Sequence, residues 1–389
     1  MKEIIILLPG PFLKRDYDRF GIELLKKNFI IKILDFTALI NPVFWKVYED
    51  KIYRCEEYFS ISCKNDFLKF SSELKSVIVI DFLQKNIKLD WVRKLLRKKN
   101  SLFVNFDINL VPTEKIKIIR LLNKLVLLIT NPKRFFTEFY KFFVKRFNNL
   151  IKVYNYDILV LGGYLTRKKK NVKKQIYAHS MDYDVYLSLK NKPEIKKTPY
   201  AVFLEDNMIE DSDYHIILER ADGVLPPVRE NQYFPVLIKF LKKFELQTGL
   251  KVKFAIHPKS YKDFSNLLKD FDYYKGNTAE IVKNSSLVFL HSSTSLSYAV
   301  LFKKPVIFLT SNELKKSWVG DRIVNFSRAV GGKILNMNDN SNNNLDLKNL
   351  LNFDKDKYQE YKDKYLKFPN SPDIPLWEIF DKSLRDYID

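Results

Sequence analysis

Short runs of β-branched and aromatic residues recur along the chain, and helix-like segments separate them. In the first half the runs cover residues 3–8, 29–36, 76–82, 101–106 and 156–161. In the second half they cover residues 200–205, 215–218, 252–257, 286–291 and 305–309. Strands that alternate with helices are typical of βαβ units, which build parallel sheets. The pattern therefore predicts an α/β protein with two sheets.

The length of the chain supports a division into two domains. A chain of 389 residues is too long for one hydrophobic core. The border falls between a basic run at residues 167–174 and Thr198-Pro199. We predict a first domain over residues 1–195, a second over 196–370, and a helix over 371–389 that packs back on the first domain. The Asn-rich stretch at 336–344 is predicted to be a surface loop.

The composition indicates a folded, basic protein. Hydrophobic residues make up 46% of the chain, enough for two sizeable cores. There are 67 Lys and Arg against 46 Asp and Glu, a formal charge of +21. This excess favours phosphate-bearing ligands, nucleic acid or an anionic membrane surface as partners. No recognised nucleic-acid-binding module is visible, so a basic nucleic-acid- or membrane-binding protein without catalysis is the non-enzyme alternative.

Cysteine usage and hydropathy favour a cytoplasmic setting. Cys55 and Cys63 are the only cysteines, too few for a disulfide framework and without the spacing of zinc ligands. The segment MKEIIILLPGPFLKRD predicts a first strand and a turn and lacks the features of an export signal. No run of about 18 uncharged apolar residues predicts a membrane-spanning helix. We expect neither a metal nor a cofactor.

A candidate membrane contact lies in the first half. Residues 132–147 carry six phenylalanines at helical spacing, with Lys141, Lys145 and Arg146 between them. Such a helix suits either a core-facing position or an anionic membrane interface. We therefore predict a peripheral location at the inner face of the cell membrane, with ordinary core packing of the phenylalanines as the alternative.

Polar side chains follow three strands of the second half. These strand ends read Glu205-Asp206-Asn207, His257-Pro258-Lys259 and His291-Ser292-Ser293-Thr294. In an open parallel sheet, ligands gather at the carboxyl ends of the strands. The hydroxyl-rich run precedes an apolar helix, whose N-terminal N–H groups would bind a phosphate. The alternative is that one serine merely caps the helix.

The other two strand ends offer groups for acid–base chemistry. An imidazole at His257 could donate a proton to a departing phosphate, and a carboxylate at Glu205 or Asp206 could accept a proton from an attacking hydroxyl. Taken alone, a histidine at a strand end is often structural, and adjacent acidic residues often form turns. The conjunction of the three features is what indicates a site.

This order of features resembles a known group of enzymes. An acidic pair at a strand end, then His-Pro, then a Ser-Ser/Thr doublet is similar to the D/E-D/E-G, HP and S-S/T motifs of bacterial sialyltransferases and related nonulosonic-acid transferases. The resemblance covers residues 176–335, starting at IYAHSMDYD, whereas the first 150 residues match only as a generic first domain. It implies the GT-B fold, in which two Rossmann-like domains face a cleft.

The resemblance also implies residue roles. Glu205 falls on the catalytic base of the family, Asp206 on the second acidic position, and His257 on the histidine that serves the leaving phosphate. Ser292 and Ser293 fall on the phosphate-binding doublet, and we add further phosphate contacts from the neighbouring positions Thr294, His291 and Lys259. Asn207 replaces the glycine of the acidic motif, which leaves the choice between Glu205 and Asp206 open.

A second departure bears on the donor. Many GT-B enzymes that use UDP- or GDP-sugars have a ribose-binding Glu where this chain has Tyr298, so we favour a CMP-activated sugar. A nonulosonic acid or Kdo also carries a carboxylate, for which the candidate cationic partners are Lys259, Lys303, Lys304 and Arg229. His179 and Thr278 are predicted to line the cleft. The triplets Asp182-Tyr183-Asp184 and Asp211-Ser212-Asp213 are interpreted as structural or acceptor-side, and His215 as without a special role.

The sequence thus predicts a metal-independent, inverting transferase of a sialic-acid-like sugar or Kdo. Its expected partners are a CMP-sugar donor, a glycan or lipid-linked glycan of the bacterial surface, and an anionic membrane surface, without nucleic acid. The enzymatic alternatives are a retaining Kdo-type transferase and a CDP-glycerol-type phosphotransferase.

Overall fold

The computed structural model describes most of the chain. The described residues are 1–83, 89–108, 110–113, 156–165, 172–194, 198–208, 227–258, 260, 262–339 and 345–388. Several predicted features lie outside them: the aromatic helix at 132–147, the strand at 215–218 with His215, the triplet 211–213, and Lys259.

Within the described residues, seven parallel strands form the first sheet. They are β1 Glu3–Leu8, β2 Ile30–Asp35, β3 Tyr58–Ser60, β4 Ile78–Asp81, β5 Leu102–Asp107, β6 Ile158–Leu161 and β7 Lys174–Tyr177. Their order is β3-β2-β1-β4-β5-β6-β7, and every neighbouring pair is parallel. The central strands are buried on both faces, which is why they read as continuous apolar runs.

The part of the second sheet that the structure describes has six parallel strands. They are β8 Tyr200–Leu204, β9 Lys251–Ile256, β10 Asp272–Lys275, β11 Leu287–Leu290, β12 Val306–Thr310 and β13 Lys333–Asn336. Their order is β10-β9-β8-β11-β12-β13, with parallel pairing throughout. The predicted fold class, two parallel α/β sheets, is confirmed.

The helices connect the strands. Those before the second sheet are α1 Lys14–Arg19, α2 Ile22–Leu25, α3 Thr37–Ile40, α4 Pro42–Tyr48, α5 Lys64–Ser72, α6 Asp90–Lys98 and α7 Met181–Leu189. The later ones are α8 Glu230–Thr248, α9 Thr278–Lys283, α10 Leu296–Leu301, α11 Asn312–Lys316, α12 Trp318–Val330, α13 Leu347–Leu350, α14 Lys355–Tyr361 and α15 Leu376–Ile388. The described residues also include a 3₁₀ turn at Glu49–Lys51 and a π-helical turn at Lys362–Leu366.

The last helix returns to the first sheet. Phe380 and Leu384 of α15 belong to the same buried cluster as Ile4 and Ile33. The indole Nε1 of Trp377 donates a hydrogen bond to the carbonyl oxygen of Arg19 at 2.7 Å. Residues from the end of the chain therefore complete the core of the first domain.

The second sheet has its own core. Phe203, Phe254, Phe289 and Phe308 come from four adjacent strands and are fully buried. The apolar face of α8 covers this sheet. None of the described helices is long and apolar enough to cross a membrane.

Candidate active site

The three motif-bearing strand ends meet at one edge of the second sheet. The order β9-β8-β11 places Glu205 between His257 and Ser292. The backbone N–H of His257 donates to Oε2 of Glu205 at 3.4 Å, and that of Ser292 donates to Oδ2 of Asp206 at 3.3 Å. The acidic pair is thus bonded to both neighbouring motifs.

Glu205 holds the turn that follows β8. Its side chain is buried, and its Oε1 accepts the backbone N–H of Asn207 at 2.7 Å. Asn207 has a φ of 54°, in the left-handed region that glycine adopts most readily. Asparagine tolerates this region better than most residues. The turn therefore forms with Asn207 at the position where the D/E-D/E-G motif has glycine.

Asp206 carries a buried carboxyl group with an unused oxygen. Oδ1 of Asp206 is inaccessible to solvent and has no hydrogen-bond partner among the described residues. Burial raises the pKa of Asp206, and the N–H of Ser292 and the charge of Arg322 offset this only in part. A carboxylate in this state is a stronger base than one in water.

His291 does not face the cleft, which corrects its predicted role in phosphate binding. Its ring is fully buried, with Nδ1 at 2.7 Å from the carbonyl oxygen of Leu309 and Nε2 at 2.8 Å from the hydroxyl of Tyr233. A carbonyl only accepts, so Nδ1 donates to it and Nε2 accepts from Tyr233. Burial lowers the pKa of His291, so the ring is a neutral part of the core.

The two domains enclose a cavity of about 500 Å³ above these strand ends. His257 and Pro258 line it together with Thr294 and Ser295, and so does Thr278, as predicted. Ser292 and Ser293 are buried beneath that wall. Ser292 accepts a hydrogen bond from Arg322 through its carbonyl oxygen at 3.2 Å, and the hydroxyl of Ser293 accepts the N–H of Ser295 at 3.3 Å. Of the residues in and next to the Ser/Thr motif, Thr294 and Ser295 are therefore the ones whose hydroxyl groups line the cavity.

Four predicted cleft residues lie elsewhere. Lys303 and Lys304 follow α10 at the end away from the cavity, and Lys304 pairs with Glu194 at 3.1 Å. Arg229 is exposed at the N-terminus of α8 and does not line the cavity. His179 is fully buried, and its Nε2 lies 2.8 Å from the carbonyl oxygen of Ile374. None of these four residues lines the cavity. Lys303 and Lys304 follow the end of a helix, whereas the starts of helices face the carboxyl edge of the sheet, and His179 points into the core.

The sequence did not predict the hydrogen-bond network around Asp182. The carboxylate of Asp182, on α7, accepts hydrogen bonds from Arg19 at 2.9 Å and from the hydroxyl of Tyr298 at 3.1 Å. Ser297 donates to its other oxygen. Burial and the nearby carboxylate raise the pKa of Tyr298, so its hydroxyl stays protonated. Helices α1, α7 and α10 are thereby joined at the floor of the cavity.

The described residues contain no group of three or more His, Cys, Asp or Glu side chains that could hold a metal ion. The chemistry that they offer is that of carboxylate, imidazole, hydroxyl and guanidinium groups.

Comparison with known proteins leaves the family open and shows the fold. No protein-family description matches the chain, and no curated protein matches it. Among solved structures, the wall teichoic acid polymerase TagF aligns with 100% of this chain and 90% of its own, at 11% identity and a TM-score of 0.52. MurG of Acinetobacter baumannii aligns with 99% of this chain and 100% of its own, at 8% identity and a TM-score of 0.50. The chain has the GT-B fold.

A third GT-B likeness is the S. aureus MnaA co-structure with UDP. It covers 100% of this chain and 97% of the other, at 12% identity and a TM-score of 0.50. At such identities these likenesses concern the fold alone. The GT-B fold places the cavity between its two domains, which agrees with the position of His257 and Thr294 on the cavity wall.

Proposed function

We propose that the protein is a glycosyltransferase that moves a sialic-acid-like sugar or Kdo from a CMP donor to a bacterial surface glycan. One observation carries the proposal. The acidic, His-Pro and Ser/Thr motifs meet at the carboxyl edge of the second sheet, and two of them line the cavity between the domains. Ligands of open α/β sheets bind at this edge.

The reaction follows from the groups at this edge. An acceptor hydroxyl attacks the anomeric carbon of the donor while a carboxylate takes the hydroxyl proton. The bond between that carbon and the phosphate oxygen breaks, and its electron pair stays on the departing CMP. His257 donates a hydrogen bond or a proton to that phosphate, and the hydroxyls of Thr294 and Ser295 bind it. Attack opposite the leaving group inverts the anomeric centre.

We propose Asp206 as the base and Glu205 as a positioning residue. The resemblance assigns the base to Glu205, but both carboxylate oxygens of Glu205 accept backbone N–H groups, from Asn207 and His257. Asp206 has the unpartnered oxygen and the raised pKa. A base needs a free lone pair and a pKa closer to neutrality, which favours Asp206. The proposal requires that Oδ1, which is closed to solvent here, becomes accessible to the acceptor hydroxyl when the substrates bind.

The choice of CMP rests on Tyr298. This residue occupies the place where many UDP- and GDP-sugar enzymes carry a ribose-binding glutamate, and its hydroxyl donates to Asp182. UDP is the rival donor, because the MnaA likeness is a complex with UDP. A CDP-glycerol-type phosphotransferase remains the rival reaction, and TagF, a wall teichoic acid polymerase, shares the fold.

Thermal-shift measurements with CMP, UDP, GDP and CDP test the proposal. A nucleotide at about 100 times its dissociation constant stabilises the folded state by about 2.7 kcal/mol. We expect CMP to raise the melting temperature most. A larger shift with UDP or GDP would overturn the CMP assignment, and a shift with random oligonucleotide alone would favour the nucleic-acid alternative.

We also propose a peripheral position at the cytoplasmic face of the membrane. The basis is the aromatic and basic pattern at residues 132–147, since each cation near an anionic surface contributes about 1 kcal/mol. Sedimentation with anionic liposomes at low salt tests it. Charge reversal of Lys141, Lys145 and Arg146 should abolish sedimentation, and wild-type protein that does not sediment would contradict the proposal.

A further inference from the structure

The positive charges that reach the cavity come from the first domain. Among the described residues that line it, the cationic side chains are Arg15 and Arg19, both on α1. His257 and Thr294, which belong to the second domain, line the same cavity. A ligand that fills the cavity therefore meets both the motif residues and two guanidinium groups.

Arg19 already has a strong partner. Its Nη2 lies 2.9 Å from Oδ1 of Asp182, and only 29% of the side chain is exposed. This ion pair already engages Nη2 of Arg19. Its Nε is buried without a hydrogen-bond partner among the described residues.

Arg15 has a longer ion pair than Arg19. Its Nη2 lies 3.4 Å from Oδ1 of Asp16, which is a long contact for an ion pair. Oδ2 of Asp16 accepts the backbone N–H of Leu13 at 3.1 Å. Nε of Arg15 is buried and unpartnered within the described part of the chain, although 38% of the side chain is exposed. A guanidinium has five N–H donors in a fork that fits a carboxylate.

We infer that Arg15 binds the carboxylate of an acidic sugar in the cleft, with Arg19 held beside it by Asp182. This inference rests on the proposed function, because a sialic-acid-like sugar and Kdo both carry a carboxylate. The acid group can belong to the donor sugar or to an acidic sugar of the acceptor. In both cases Arg15 selects acidic over neutral sugars, whereas the second domain binds the nucleotide.

Calorimetry with pairs of probes tests the inference. CMP and CMP-N-acetylneuraminate differ by the acidic sugar, and lactose and sialyllactose differ by an acidic acceptor residue. Arg15→Gln should weaken binding of the acidic member of one pair by about tenfold to a hundredfold, the range for hydrogen bonds between charged groups. Arg15→Lys keeps the charge without the fork and should fall between wild type and Arg15→Gln.

Lys14→Gln is the matched control. Lys14 is on the same helix and pairs with Asp18 at 2.6 Å outside the cavity, so the variant removes one charge without touching the ligand. It should bind every probe as wild type does. Loss with CMP-N-acetylneuraminate assigns the carboxylate to the donor, and loss with sialyllactose assigns it to the acceptor. Equal loss with CMP and CMP-N-acetylneuraminate, or no loss in either pair, would overturn the inference.

A third pair separates this inference from the proposed function. If wild-type protein binds UDP in preference to CMP, the proposed CMP donor is wrong. UDP-glucuronate and UDP-glucose then form the pair that differs by a carboxylate, and Arg15→Gln should weaken binding of UDP-glucuronate alone. Wild-type protein that prefers the acidic member of no pair excludes a carboxylate site at Arg15, whichever nucleotide it binds.

Discussion

His257 lies where the end of β9 meets the cavity, so its removal tests the chemistry directly. We predict that His257→Ala lowers the transfer rate by about 10²–10⁴-fold, the range for one positioned acid or hydrogen-bond donor. The melting temperature should change little, because the imidazole is only partly buried. Initial rates with CMP-N-acetylneuraminate measure the effect.

His291→Ala is the contrasting variant. Its ring is buried between Tyr233 and Leu309, so the change should lower the melting temperature strongly. Wild-type turnover in His257→Ala would remove the proposed role of His257.

Asp206→Asn should separate catalysis from stability. The folded-state pKa of Asp206 is raised above its unfolded value of about 3.9, so the folded protein binds the extra proton. Its contribution to stability is therefore greatest at low pH and is lost as pH rises through the folded-state pKa. At pH 7 the variant should be inactive yet melt at a higher temperature than wild type, and this difference should shrink as pH falls towards about 4.

Glu205→Gln is the companion to that experiment. It keeps one acceptor oxygen for the backbone N–H groups and should retain more activity than Asp206→Asn. Melting curves from pH 4 to about 8 and initial rates at saturating donor provide both readouts. A greater loss of rate in Glu205→Gln would return the base to Glu205.

At the residue scale, strand-end polarity was enough to locate the site but not to orient each side chain. Glu205, His257 and Thr294 follow apolar strands, and their order in the sheet brings them together. The inward turn of His291 depends on Tyr233, 58 residues earlier in the chain, for which the local sequence contains no signal. Local pattern predicts where a strand ends but not which distant partner a side chain finds.

At the element scale, the sequence predicted the central strands and missed the edges. The strands β3, β7, β10 and β13 lie at the ends of the two sheets. Every residue of β10, sequence DYYK, is exposed. An edge strand packs against fewer apolar neighbours, so it needs no apolar run. These edge strands form because they pair with a neighbouring strand, and their own composition does not predict them.

The Asp182 network leads to a prediction about how elements are coupled. Asp182→Asn removes the charge that pairs with Arg19 and weakens the bonds from α1 and α10 to α7. We expect a loss of about 1–3 kcal/mol in the free energy of unfolding, the range for charge-assisted bonds. Urea unfolding followed by circular dichroism measures it.

Tyr298→Phe is the graded control, because it removes a single hydrogen bond to Asp182 and should cost about 0.5–1.5 kcal/mol. If the network couples the domains, the unfolding transition of Asp182→Asn should also broaden or split, while that of Tyr298→Phe stays single. Equal stability of Asp182→Asn and wild type would show that the network contributes nothing.

At the scale of the whole molecule, α15 ties the end of the chain to its beginning. Trp377 is buried against α1 and α2, and a Cβ added at Gly21 would lie 2.5 Å from its ring. Trp377→Ala should lower the free energy of unfolding by about 3–5 kcal/mol, as large-to-small core changes do. Lys382→Ala, at an exposed position of the same helix, should change it little. Denaturant titration decides between them.

The contacts between α1, α7 and α10 could not be predicted from the sequence. Arg19 and Asp182 are 163 residues apart, and Asp182 and Tyr298 are 116 apart. The resemblance indicated two domains that face a cleft, but not which first-domain residues line it. Arg15 and Arg19 are in a short polar helix whose pattern indicates only an exposed surface, so their position at the cavity is known from the structure alone.

The position of α15 also bears on the order in which the domains fold on the ribosome. Domains usually fold in the order of their synthesis, the N-terminal one first. Here every described strand of the second sheet has been synthesised by Asn336, whereas the first sheet still lacks Leu376, Phe380 and Leu384. The apolar face of the nascent first domain therefore stays exposed until α15 has been synthesised, while the second domain completes its own core. A stalled or prematurely terminated chain therefore exposes that face. The first domain, although it is synthesised first, is then the part that chaperones bind.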